Sequence, residues 1–169
     1  YDETIERIGI DPTINKYHKY YKEGIIKVPS FFNSNSFNKN SSKKKADIIT
    51  SVSMFYDLPD PNKFVEDIAS ILSKDGIWHL EQSYMPSMLR TNSYDTICHE
   101  HLEYYSLEVI KNLIETHNLE IIDVLFNRIN GGSFSVTVSH KNSKYKRNKR
   151  IINWMLSQER RMGLNTPSP

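Results

Sequence analysis

An open α/β sheet, mostly parallel, is the fold class that this 169-residue sequence predicts. Three observations predict it. Short apolar runs alternate with helix-patterned segments up to Asn118, the pattern of parallel strands joined by helical crossovers. The first such run ends on an acid and a breaker, Ile8-Gly9-Ile10-Asp11-Pro12. Near the other end, Asn130-Gly131-Gly132 reads as a tight hairpin turn. After it, Phe134, Val136 and Val138 alternate with serines and Thr137, a half-buried returning strand over 133–140.

The elements follow in order. Residues 7–12 read as a short buried strand and 25–29 as a second. Tyr17, Tyr20 and Tyr21 are spaced like one helix face and are expected to pack. Residues 33–45 are rich in Asn and Ser and end in three lysines. They read as a solvated loop or poor surface helix, ahead of a basic phosphate-binding patch. Residues 47–52 form a third strand. Asp60 can cap a helix with Pro61 in its first turn, Phe64, Val65, Ile68, Ile71 and Leu72 on one face, and Gly76 to end it. Residues 77–81 form a fourth strand, in which His79 is structural. Ser106 opens a second helix with Leu107, Ile110, Leu113 and Ile114 inward and Asn118 as its stop. Residues 119–129 form a fifth strand, and a polar stretch leads to a helix from 151 to about 162. Right-handed crossovers imply helices over both faces of the sheet.

Residues 1–140 are read as one core domain, and 141–169 as a linker and helix leading to a further domain. The chain opens on Tyr1 instead of Met and closes on Thr166-Pro167-Ser168-Pro169. Both ends suggest a piece of a longer polypeptide.

The net charge of +2 gives no global field for nucleic acid or a membrane surface. No apolar run approaches the roughly 20 residues of a membrane span. The single cysteine, Cys98, allows no internal disulfide. A reducing, cytoplasmic setting is expected.

The densest chemistry lies in Tyr94-Asp95-Thr96-Ile97-Cys98-His99-Glu100-His101-Leu102-Glu103-Tyr104-Tyr105. Two histidines, two glutamates, an aspartate, a thiol and three tyrosines suit a site where a proton moves or a metal is held. His99 and His101 alternate as on an extended segment, which would put them on one face. Metal binding by that pair, or plain structural hydrogen bonding, are the alternatives. Asp11, residues 51–56 and residues 81–84 also follow strand ends, where open α/β sheets bind ligands. One shared site is therefore expected. An acid at a strand end can accept both hydroxyls of a ribose; a turn-forming Asp-Pro is the equal alternative for Asp11.

These segments occur in the order seen in class I S-adenosylmethionine-dependent methyltransferases: Ile8-Gly9-Ile10-Asp11-Pro12, Asp47-Ile48-Ile49, Gly76-Ile77-Trp78, the 94–102 block and Asn130-Gly131-Gly132-Ser133. The Tyr94-Asp95-Thr96-Ile97-Cys98-His99-Glu100-His101 block resembles the sugar C-methyltransferases, and Glu159 to Thr166 is similar to the segment that follows their methyltransferase fold. The resemblance implies a Rossmann-like methyltransferase sheet whose first strand and glycine-rich loop would precede Tyr1. It implies S-adenosylmethionine as cofactor, with zinc only in a separate cysteine-rich module that this chain lacks. It implies methyl transfer to a carbon beside the ketone of a nucleotide-linked deoxysugar. His101 is expected as the base, Glu100 beside it, and His99 near the enolate oxygen. Asp11, Pro12, Ser51 and Val52 are expected at the cofactor, and Tyr56, Tyr84, Tyr94 and Tyr104 at the substrate. Cys98 stands where family members often carry tyrosine. No nucleic acid or membrane partner is expected; an unpaired sheet edge would favour a homodimer. Two other functions compete: transfer to oxygen or nitrogen by the same fold, and a core that only binds a partner.

Overall fold

The computed structural model describes residues 4–164 and 166 of the chain. Tyr1 and residues 167–169, behind the expectation of a longer polypeptide, lie outside them. Strand β1 (Arg7–Ile10) pairs in parallel with β2 (Ile25–Val28). Between them lie α1 (Ile14–Tyr17) and a 3-10 turn. Helix α2 (Ser34–Asn40) follows, then β3 (Ala46–Val52), α3 (Pro61–Ile71) and β4 (Leu72–Ser83). After β4 come α4 (Met85–Thr91), α5 (Leu107–Glu115), β5 (Leu119–Asn127), β6 (Ser133–His140) and α6 (Lys149–Arg161). A second sheet has the order β3-β4-β6-β5. In it β3 and β4 are parallel, and β6 runs antiparallel to both neighbours. The expected α/β fold with an antiparallel C-terminal hairpin is therefore present, but the larger sheet is mixed and not mostly parallel, because β6 lies between β4 and β5 and runs against both.

Local chemistry accounts for the element ends. The Asp60 side chain accepts from Lys63 N (2.9 Å) and caps α3. Ser106 caps α5 through Val109 N (3.3 Å). The 33–45 stretch is more ordered than its composition suggests. Asn33 and Ser36 cap each other's backbone at the start of α2, and the helix anchors through buried Phe37. Helix α3 ends at Ile71, five residues before Gly76, and runs directly into β4. Gly76 lies inside that strand, at its irregular pairing with β3. A Cβ there would stand 2.9 Å from the Ala46 carbonyl, so close backbone approach is what requires glycine.

The core forms where α3, α5 and α6 cover one face of the four-stranded sheet. Trp78, Leu80, Phe134, Val136 and Val138 meet Phe64, Ile68, Ile110, Ile114, Ile152 and Met155 there, all buried. Helices over both faces were expected, and the opposite face departs from this. Ile48 and Val52 point away from Trp78 and are 67% and 56% exposed. Tyr17 and Tyr20 are exposed as well, because the chain breaks from α1 into the 3-10 turn before a continuous face can form.

The two sheets are separated by a slot. Glu6 accepts from Ser41 Oγ (2.6 Å) and Ser42 N (3.1 Å), which sets the start of β1 beside the start of β3. Between these strands runs a cavity of about 690 Å³, lined by Ile8 and Ile10 on one side and by β3 on the other. Each strand keeps one edge unpaired along it, which is why β1 is half-buried and not buried.

Candidate active site

The site is built where β3 and β4 end. Past Val52, Ser53 takes φ 52° and donates its N–H to the Glu81 carbonyl (2.8 Å). The chain then folds into a 3-10 turn over Phe55–Asp57. Phe55 is buried against Trp78, Phe64 and Tyr105, so the turn is fixed from below. The Tyr56 carbonyl above it accepts from Leu102 N (2.9 Å) and Glu103 N (3.1 Å). This double bond fastens the histidine segment to the end of β3.

That segment is not extended. His101 N donates to Cys98 O (3.2 Å), which closes a turn over Cys98, His99, Glu100 and His101. The turn separates the two histidines. His101 lies against the Tyr56 ring, centroids 4.2 Å apart, with Tyr104 at 6.5 Å. His99 projects into solvent, 91% exposed, with Nε2 3.9 Å from the Glu100 carboxylate. A shared histidine face is therefore absent. No group of three or more His, Cys, Asp or Glu able to hold a metal occurs among the described residues.

The other expected residues divide. The Tyr56 hydroxyl is held above its usual range by burial, with the Ser53 side chain beside it pulling the other way and Asp57 and Cys98 adding to the rise. Tyr94 is exposed. Tyr84 has a different partner from the one expected. It is buried against Phe126 and Phe134, and its hydroxyl donates to Glu159 Oε1 (2.6 Å). Ser51 is committed as well, because its buried Oγ accepts from Trp78 Nε1 (2.9 Å). Val52 stays exposed at the strand end.

Asp11 follows Ile10, which lines the slot together with Val52 and Met54. Its Oδ1 accepts from Thr13 N and Thr13 Oγ1, both at 2.6 Å, so the turn beginning at Pro12 is real. Oδ2 accepts nothing among the described residues. One oxygen makes the turn and the other is left without a hydrogen bond among the described residues, so the two readings of Asp11 are compatible. An anionic acceptor at one strand end and an exposed apolar residue at the next fit a ribose and the group it carries.

Two residues that sequence reasoning passed over join the site. Asp57 carries a carboxyl raised above its ordinary range chiefly by burial; His101 pulls it down and Glu100 pushes it up. In Asp57-Leu58-Pro59-Asp60 it reads only as a polar step before a helix, and no local signal marks it. Glu159 is 1% exposed. It did leave a signal, because it continues the apolar stripe of Ile152, Met155 and Leu156 on α6.

The profile of the methyltransferase-domain family matches residues 3–124. The chain belongs to the methyltransferase-domain family. Over 158 residues it is 27% identical to the C-methyltransferase NovU of Streptomyces niveus, across 93% of this chain and 37% of NovU. The chain thus spans little more than a third of that curated relative. Among solved structures, LepI in complex with SAM superposes with TM-score 0.60 at 12% identity, over 79% of this chain and 35% of that one. The Burkholderia thailandensis 1,6-didemethyltoxoflavin-N1-methyltransferase, solved with 1,6-didemethyltoxoflavin and S-adenosylhomocysteine, gives 0.55 at 10%, over 80% and 61%. These likenesses establish the class I methyltransferase fold. Among the described residues, no helix is long and apolar enough to cross a membrane.

Proposed function

We propose that this chain is the core of an S-adenosylmethionine-dependent C-methyltransferase acting beside the ketone of a nucleotide-linked deoxysugar. The observation that carries the reading is the seating of His101 on Tyr56, fastened to the end of β3 and facing Asp57. Likeness to a C-methyltransferase supports the carbon acceptor. Bound S-adenosylmethionine supplies an electrophilic methyl on a sulfonium.

Asp11 would hold the ribose through Oδ2, the oxygen not engaged by Thr13, with Pro12, Val52 and the backbone at Ser51 beside it. His101 takes the proton from the carbon next to the ketone. The electron pair left behind spreads onto the ketone oxygen; with S-adenosylmethionine bound, that carbon would take the methyl while the carbon–sulfur pair would stay on sulfur. The imidazolium is stabilised by the Asp57 and Glu100 carboxylates. Tyr56 and Tyr104, the two rings beside His101, flank the acceptor. A heteroatom acceptor already carries a lone pair for the methyl and asks less of a base than a carbon acceptor does, so the dense block favours carbon.

Incubation of the full protein with the nucleotide-linked keto sugar in heavy water tests the reading. Deuterium should enter the methylated carbon before transfer, or transfer should show a hydrogen isotope effect. Methylation of an oxygen or nitrogen with neither effect would exclude it.

A further inference from the structure

We propose that Glu159 is a positioning residue that clamps both ends of the excursion carrying His99, Glu100 and His101. The excursion leaves the sheet at Tyr84 and returns at Leu107, the first residue of α5. One buried carboxylate on α6 bonds to both points. Oε1 accepts from Tyr84 Oη (2.6 Å) and from Leu107 N (2.7 Å), and Oε2 accepts from Glu108 N (2.9 Å). Below them Met85 N donates to Tyr105 O (3.1 Å), which closes the neck. No cation bonds to Glu159 among the described residues. Its charge is met by three donors, two of them free N–H groups of a helix N-terminus.

The clamp matters because the histidine turn itself is held at few points. Leu102 N and Glu103 N bond to the Tyr56 carbonyl and Tyr105 packs on Phe55, whereas Thr96 Oγ1, 3.5 Å from Met88 Sδ, ties the excursion only to itself. The seat of His101 on Tyr56 therefore depends on the Tyr56 carbonyl at one side and on the Glu159 neck at the other. A charged, acceptor-only group suits the neck, because each bond there comes from a donor. Glutamine keeps the shape but turns an N–H₂ toward a donor. Burial and the hydrogen bond to Glu159 together hold the Tyr84 phenol protonated, so this donor persists across the working pH range. Helix α6 lies beyond the residues matched by the family profile, and it governs a segment inside them.

This inference deepens the proposed methyl transfer, on which only its activity readout rests. The test is Glu159→Gln in the full protein, followed by amide hydrogen exchange and steady-state kinetics. Exchange over 94–106 should accelerate by about tenfold or more while β3, β4 and β6 keep wild-type protection. The kcat should fall by about tenfold with KM for the cofactor unchanged. Tyr84→Phe removes one donor and should accelerate the same segment by a smaller factor; it carries the test if Glu159→Gln does not fold. Unchanged exchange over 94–106, or uniform acceleration across the sheet, would overturn the clamp. Absence of methyl transfer by the wild type would overturn the proposed function and leave the exchange result to decide the clamp.

Discussion

His101 rests ring on ring over Tyr56, and the two amides that follow it bind that tyrosine's own carbonyl. Side chain and backbone of one residue thus fix both the imidazole and the chain that carries it. An imidazole held this way has little conformational freedom left to lose.

Replacing His101 by Gln should therefore lower turnover by about two to four orders of magnitude while cofactor affinity stays at the wild-type level. Single-turnover assays and calorimetry on the full protein separate the two quantities. Wild-type rates in His101→Gln would remove it as the base.

Asp11 has one carboxylate oxygen tied to Thr13 and one without a hydrogen bond among the described residues. Asp11→Ala should weaken S-adenosylmethionine binding by roughly 1–3 kcal/mol as a charged acceptor is lost. Asp11→Asn, which can keep the Thr13 turn, should recover stability but not affinity. Equal affinity in all three forms by titration calorimetry would leave Asp11 with the turn alone.

Ser51 offers a contrasting case. Its hydroxyl is taken by the Trp78 indole in the core. Ser51→Ala should cost about 1–3 kcal/mol of stability, because it strands a buried N–H. Urea unfolding measures this. Cofactor affinity, extrapolated to the folded state, should not change.

Alkaline solution should weaken the fold through Tyr84 and Tyr105. Burial is the largest cause that raises both phenols above their ordinary value of 10.0. The unfolded chain releases these protons near pH 10, whereas the folded chain retains them. The stability this contributes is complete below pH 10 and is lost as pH rises beyond it. Melting temperature should fall with pH above 10, and less steeply in Tyr105→Phe. Parallel curves for both proteins would remove Tyr105 from the effect.

Much of this fold was legible because its signals are local. Asp60 with Pro61, Ser106, and the alternation from Phe134 to Val138 each specify an element through neighbours in sequence. The ends of α3 and β4 were less legible, because Gly76 answers to the Ala46 carbonyl across the sheet and not to a helix terminus. At the site, the 94–105 block announced its chemistry by density alone. Its conformation depends on the Tyr56 carbonyl and Glu159, which lie 45 and 58 residues from His101 in opposite directions along the chain. Tyr84 and Ser51 look like ligand residues in sequence, and only packing reveals that their hydroxyls are already engaged.

The slot between β1 and β3 has a consequence for cooperativity. Among the described residues no backbone ladder crosses it, and β1 and β2 are tied to the larger sheet by contacts such as Glu6 with Ser41 and Ser42 and the Phe32–Phe64 ring pair. Two opening units follow, one easily released and one governed by the Trp78 core. Asp11 follows the first unit and His101 is fastened to the second. A ligand filling the slot would therefore turn two separately breathing halves into a single thermodynamic body.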